Sequence, residues 1–205
     1  MKRHVLLGGL IGAVLFTVFI GPTAALAVSS PSDNEIREAV QAAARLTDHH
    51  RSLKSVRGMY KQTIKWWRGP DTEPVEATSS SSSDWLMDMR FLRQELEGRW
   101  LEMPFRATLI LGYDSAAEEY RVCWIDTLST RMLVLNGKID EGGNTVTFHG
   151  EYTDPTSKQM VKLRGKMQMP DRRGEATIEM YRTAPDGSEY KFLEASSERY
   201  VARGA

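Results

Sequence analysis

The stretch Gly112 to Thr127, GYDSAAEEYRVCWIDT, decides how the rest of the chain is read. It holds two aspartates, a tryptophan and the chain's one cysteine, Cys123, a combination that invites a catalytic reading. Its pattern is that of a hairpin, because Asp114 and small residues form a turn between runs in which apolar and polar side chains alternate. Pairing Tyr113 with Tyr120 places Leu111 opposite Val122, Leu109 opposite Trp124 and Ala107 opposite Asp126. One face of the hairpin is therefore apolar, with Trp124 turned inward and Cys123 outward. At about 3.3 Å per residue, Asp114 at the turn and Asp126 near the far end stand roughly 20 Å apart. A glycosidase pair needs carboxylates within about 10 Å, so a turn former and a strand-end group replace the catalytic pair.

The apolar face carries across the neighbouring segments. Trp124 meets Leu133, Val122 meets Leu135 and Tyr120 meets Gly137, and Asp126 comes opposite Arg131 as an expected ion pair. Further along, Gly137 faces Phe148, Leu133 faces Tyr152, Phe148 faces Leu163, Val146 faces Gly165, Met167 faces Ile178 and Met180 faces Phe192. The opposite face collects Thr147, His149, Glu151, Lys162, Arg164, Lys166 and Glu179. Turn-rich separators such as DEGGN, DPTSK, DRRG and PDG divide the chain from Met59 onward into short strands. The reading is an all-β fold: an antiparallel up-and-down, lipocalin-like β-barrel preceded by an N-terminal helix. The serine run at Thr78 to Ser83 reads as a flexible loop tip between two early strands, with no assigned function.

The N-terminal residues differ in kind. MKRH supplies positive charge, VLLGGLIGAVLFTVFI an apolar core, and Ala25-Leu26-Ala27 a cleavage site, so residues 1–27 are expected to be a secretory signal. The alternative is an uncleaved membrane anchor over residues 5–27. The expected organisation is a signal peptide over 1–27, a helical segment over 28–53 and a barrel domain over 54–203, exported to the periplasm or secreted. Within the helical segment, Ser32 and Glu35 form a capping box ahead of apolar positions Ile36, Ala39, Val40, Ala43 and Leu46. That helix is expected to close one end of the barrel, with His49 and His50 at a solvated helix end.

Composition excludes several classes. The chain balances 27 Lys and Arg against 27 Asp and Glu, which leaves no basic footprint for nucleic acid. A single cysteine permits neither an intramolecular disulfide nor a cysteine-based metal site. There is no G-x-S-x-G elbow and no phosphate-binding glycine loop. His149 and Glu151 share the outward face, but two ligands without a third do not make a metal set, and the outward register denies His149 the role of an axial haem ligand. No metal and no cofactor is expected, and no catalytic residue is assigned.

Several segments carry a resemblance. EMPF at Glu102 to Phe105, LGYD at Leu111 to Asp114, EEYRVCWIDTLST at Glu118 to Thr130, the NG at Asn136, VTFHGEYTDP at Val146 to Pro155 and EASSERY at Glu194 to Tyr200 resemble the bacterial family of unknown function DUF1579. The resemblance spans about Ser55 to Val201 and implies a calycin-like barrel with no established activity. The chain departs from the family pattern at Glu102 and Ala107, where glycines are expected, and its serine run looks like an insertion.

Function is then read from the inward face. Its apolar lining holds four polar exceptions: Asp126, Arg131, Arg182 and Glu194. The expected role is non-enzymatic binding of a small apolar or amphipathic ligand over Trp124, Phe148 and Leu163, oriented by Arg182 and Glu194 with Asp126 and Arg131 at the mouth. The alternatives are a solid-cored structural or interaction module of the cell envelope, and an enzyme using Asp126 and Arg131 at the mouth.

Overall fold

The computed structural model describes residues 30–200. Two short helices, α1 (Asp33–Ala43) and α2 (Asp48–Ser52), and a 3₁₀ turn over Leu53–Val56 lead into ten strands. These are β1 (Gly58–Trp66), β2 (Val75–Leu86), β3 (Phe91–Trp100), β4 (Met103–Asp114), β5 (Glu119–Asp126), β6 (Leu133–Ile139), β7 (Thr145–Thr153), β8 (Met160–Gln168), β9 (Ala176–Thr183) and β10 (Glu189–Tyr200). Every strand pairs antiparallel with its chain neighbours, and β1 pairs with β10, so the sheet is a closed up-and-down barrel with no free edge. The signal-peptide reading falls on residues outside those described.

The register over β4, β5 and β6 is the one the hairpin pattern predicts, with Leu109 opposite Trp124 and Trp124 opposite Leu133. Gly137 also faces Phe148 as expected. A β-carbon at Gly137 would lie 2.4 Å from Phe148 Cδ1, so only glycine leaves room for that ring.

Three expectations are corrected. The serine run is not a loop: Thr78 to Ser83 lies inside β2, all of it paired with β1 and Ser79 to Ser83 paired with β3 as well. Phe148 pairs with Gly165 and Val146 with Met167, a shift of two residues that keeps the same face inward. A one-residue bulge between Lys191 and Leu193 sets Met180 against Leu193 in place of Phe192. Two residues beyond the bulge, Glu194 pairs with Glu179 on the outer face, outside the lumen.

The helices also differ from expectation. Ser32 and Glu35 form the predicted capping box, yet α1 buries no residue and leaves Ile36 and Val40 exposed. The segment that closes the barrel is the next one, where Leu53 is completely buried among Leu92, Leu111, Tyr120, Val122, Leu135, Val146, Phe148 and Leu163. His50 is only 6% exposed, and the His49 ring stacks on Tyr113 at 4.2 Å. Both histidines therefore belong to the plug and not to a solvated end. At the opposite end, Leu101 and Glu102 join β3 to β4 with φ of 47° and 67°. That left-handed geometry suits glycine, so Glu102 adopts it at a conformational cost.

Candidate functional site

Strand alternation gives the barrel two unlike walls and two unlike ends. Inward residues of β4 to β9 are almost all apolar. Those of β2 include Ser79, Ser81 and Ser83, each buried, with Gln62 of β1 and Ser197 of β10 beside them. Ser79 donates to Gln62 Oε1 at 2.7 Å, Gln62 donates to Ser197 Oγ at 3.3 Å, and Gln94 donates to Ser81 Oγ at 3.0 Å. Ser83 Oγ is buried without a hydrogen-bond partner among the described residues. Burying polar groups costs free energy unless they are paired, so this stripe is a built feature of the lumen wall.

The end next to α2 is plugged. The opposite end is an aromatic mouth: Trp66 and Trp100 meet edge to face at 4.7 Å, and Phe105 stacks on Trp124 at 6.1 Å. Register places all four inward, yet each is only half-buried. A cleft of about 1120 Å³ opens along β1 to β3, lined by the inward Gln62, Trp66, Ser79 and Trp100 together with residues of the outer face such as Lys61 and Glu97.

The predicted site residues divide among these zones. Trp124, Asp126, Arg131 and Arg182 gather at the mouth. Phe148 and Leu163, each 4% exposed, form the floor as part of the plugged core. Glu194 stands outside, where it forms an ion pair with Lys191, which also approaches Glu179 at 3.3 Å. None of the seven lines the larger cleft, although Asp126 contributes to a smaller one of about 350 Å³.

The expected Asp126–Arg131 pair does not form. Asp126 instead accepts hydrogen bonds from Trp124 Nε1 and from the Leu128 main chain, both at 2.8 Å, and so fixes the indole at the rim. Arg131 lies over the Tyr152 ring, 4.3 Å from its centroid. Arg182 donates to the hydroxyls of Tyr190 and, at 3.4 Å, of Tyr152. Its nearest carboxylate is Asp154 at 3.9 Å. The amides of Ser157 and Thr156 hold Asp154 below the usual carboxylate range; burial opposes them, and Arg182 adds a smaller electrostatic contribution. The serine stripe and the partners Tyr152 and Tyr190 escape sequence reading; five consecutive serines carry no alternation that would mark an inward face.

A family model described as "Protein of unknown function (DUF1579)" matches residues 45–199, which span the plug and nearly all of the barrel. The chain belongs to the DUF1579 family. A search of curated proteins finds no match. Among solved structures, the chain is similar to the crystal structure of Rv2717c from M. tuberculosis, with a TM-score of 0.55 and 13% identity over 77% of this chain and 100% of that one. At that identity the likeness concerns the fold alone. The DUF1579 match extends further toward the N-terminus than the resembling motifs do, because α2 and Leu53 complete the core.

Proposed function

We propose that this DUF1579 protein is a non-enzymatic carrier of a small amphipathic molecule, held in the barrel with access through the aromatic mouth. The observation that carries this reading is that inward Trp66, Trp100, Phe105, Trp124 and Tyr152 all remain partly exposed around the open end. A solid barrel would bury them as it buries Phe148. A lumen with one apolar wall and one hydroxyl-lined wall suits a guest with both kinds of surface. Export to the periplasm or beyond fits the charged and apolar stretches before Ala27, and N-terminal sequencing of the mature protein distinguishes cleavage there from an anchor over residues 5–27.

The test uses N-phenyl-1-naphthylamine, a neutral probe whose emission rises on leaving water. Saturable binding with one site per chain, reversed by decanol, supports the carrier. Absence of saturable binding, with nothing co-purifying in native mass spectrometry, overturns it in favour of a solid interaction module.

A further inference from the structure

The bulge in β10 takes a carboxylate out of the lumen. With an unbroken register Glu194 would face inward opposite Ile178. The bulge sends it to the outer face opposite Glu179, where it pairs with Lys191. Two guanidinium groups then bracket one tyrosine, Arg131 over the Tyr152 ring and Arg182 on the Tyr152 hydroxyl. Arg131 has no carboxylate within ion-pair distance among the described residues. Arg182 uses its donors on two neutral phenols, Tyr152 and Tyr190, and its fork of five N–H groups leaves others uncommitted. Asp154, although it accepts from Thr156 and Ser157, lies 3.9 Å from Arg182 and offsets part of its charge, while Asp126 is turned to Trp124 and Leu128. The polar part of the mouth thus presents one guanidinium without a carboxylate partner, Arg131, and spare N–H donors on Arg182, while the rings beside it are apolar.

Resting on the carrier reading, we infer that the guest is an anionic amphiphile whose carboxylate or phosphate head is held between Arg131 and Arg182, with its apolar part directed into the lumen. Arginine recognises planar and tetrahedral anions through paired N–H donors, and a half-dry site strengthens the contact relative to open water. Tyr152 and Tyr190 fix the Arg182 guanidinium in place before the ligand arrives, which lowers the ordering cost of binding.

Chain-matched competitors for the naphthylamine probe supply the test: decanoate, decyl phosphate, decanol and decyltrimethylammonium, with acetate and inorganic phosphate as tail-less anions. Decanoate and decyl phosphate should displace the probe roughly tenfold more tightly than decanol, the cation more weakly, and the tail-less anions hardly at all. The ratio of decanoate to decyl phosphate distinguishes a carboxylate ligand from a phosphate one. Arg131→Gln, an exposed position that tolerates change, and Arg182→Gln should each shrink the anion preference, and the double variant should erase it. Glu194→Gln on the outer face should leave the preference intact. If the probe binds wild type but anions show no advantage over decanol, this inference fails and the carrier reading survives. If the probe does not bind at all, both fail. Should Arg182→Gln not fold, the wild-type series and Arg131→Gln decide alone.

Discussion

The two ends of the barrel use the same alternating strands and differ in what occupies the lumen. Near α2 the chain supplies its own plug: Leu53, His50, Tyr113, Tyr120 and Phe148 fill the space and exclude water. At the mouth the inward positions carry larger rings, yet Trp66, Trp100, Phe105 and Trp124 stay only half-buried. Residue type alone therefore does not distinguish core from site. The difference lies in whether the neighbouring loop turns back onto the barrel, as residues 47–56 do.

That contrast is most directly broken by removing a ring from each end. Phe148→Ala empties the plugged half beside Gly137 and Gly165, and it should cost about 3–5 kcal/mol of unfolding free energy in urea titrations. Trp124→Ala should cost distinctly less, since its indole is already part-exposed. Equal losses would mean that the mouth is as filled as the plug, and the carrier reading would weaken with it.

The polar wall supplies a second comparison. Gln62 bridges Ser79 and Ser197 in a buried chain of hydrogen bonds. Gln62→Leu fills similar volume but strands both hydroxyls, so it should cost about 1–3 kcal/mol, the expense of leaving a buried polar group unpaired. A neutral outcome would show that water already reaches the stripe through the adjoining cleft, which would extend the open half deeper into the barrel.

Much of this was legible in the sequence, and what was not has identifiable physical causes. The hairpins from β4 to β6 have strict alternation and short turns, so one pairing fixed the rest. In β2 every residue from Ser79 to Ser83 is the same, so alternation of burial leaves no trace in residue type, and serine's usual place in loops argues the wrong way. The bulge near Phe192 has no glycine to announce it, yet it turns Glu194 from lumen to surface. α1 shows the converse: its cap and apolar spacing predict the helix correctly, but amphipathicity does not say what a helix packs against. Trp124, Asp126, Arg131 and Arg182 could be placed from register as inward or rim positions toward one end of the barrel; the contacts of Arg131 and Arg182 with Tyr152 and Tyr190 depend on side-chain reach, which register does not give.

The plug should also respond to pH. Burial, opposed in part by a main-chain hydrogen bond at Tyr113, holds the His50 imidazole below its ordinary value of 6.5. The folded chain carries it neutral while the unfolded chain takes up a proton, so its contribution is complete above about pH 6.5 and erodes as pH falls toward the lower folded value. Urea midpoints should therefore decline on that acidic limb, and His50→Gln should flatten it. An unchanged slope in the variant would place the pH dependence elsewhere.

The smallest effect should come from Ser83, and it is the most discriminating. Its hydroxyl is buried with no partner, whereas Ser79 donates to Gln62 at 2.7 Å further toward the mouth. Removing a bonded hydroxyl should cost about 1 kcal/mol, so Ser79→Ala is expected to destabilise by that amount. Ser83→Ala removes only an unsatisfied group and should be neutral or slightly stabilising in the same urea series. A loss at Ser83 as large as that at Ser79 would mean that its hydroxyl is satisfied in solution by something entering the lumen. The open half would then reach the foot of the serine stripe, and the boundary between plug and cavity would run between Ser83 and Leu53.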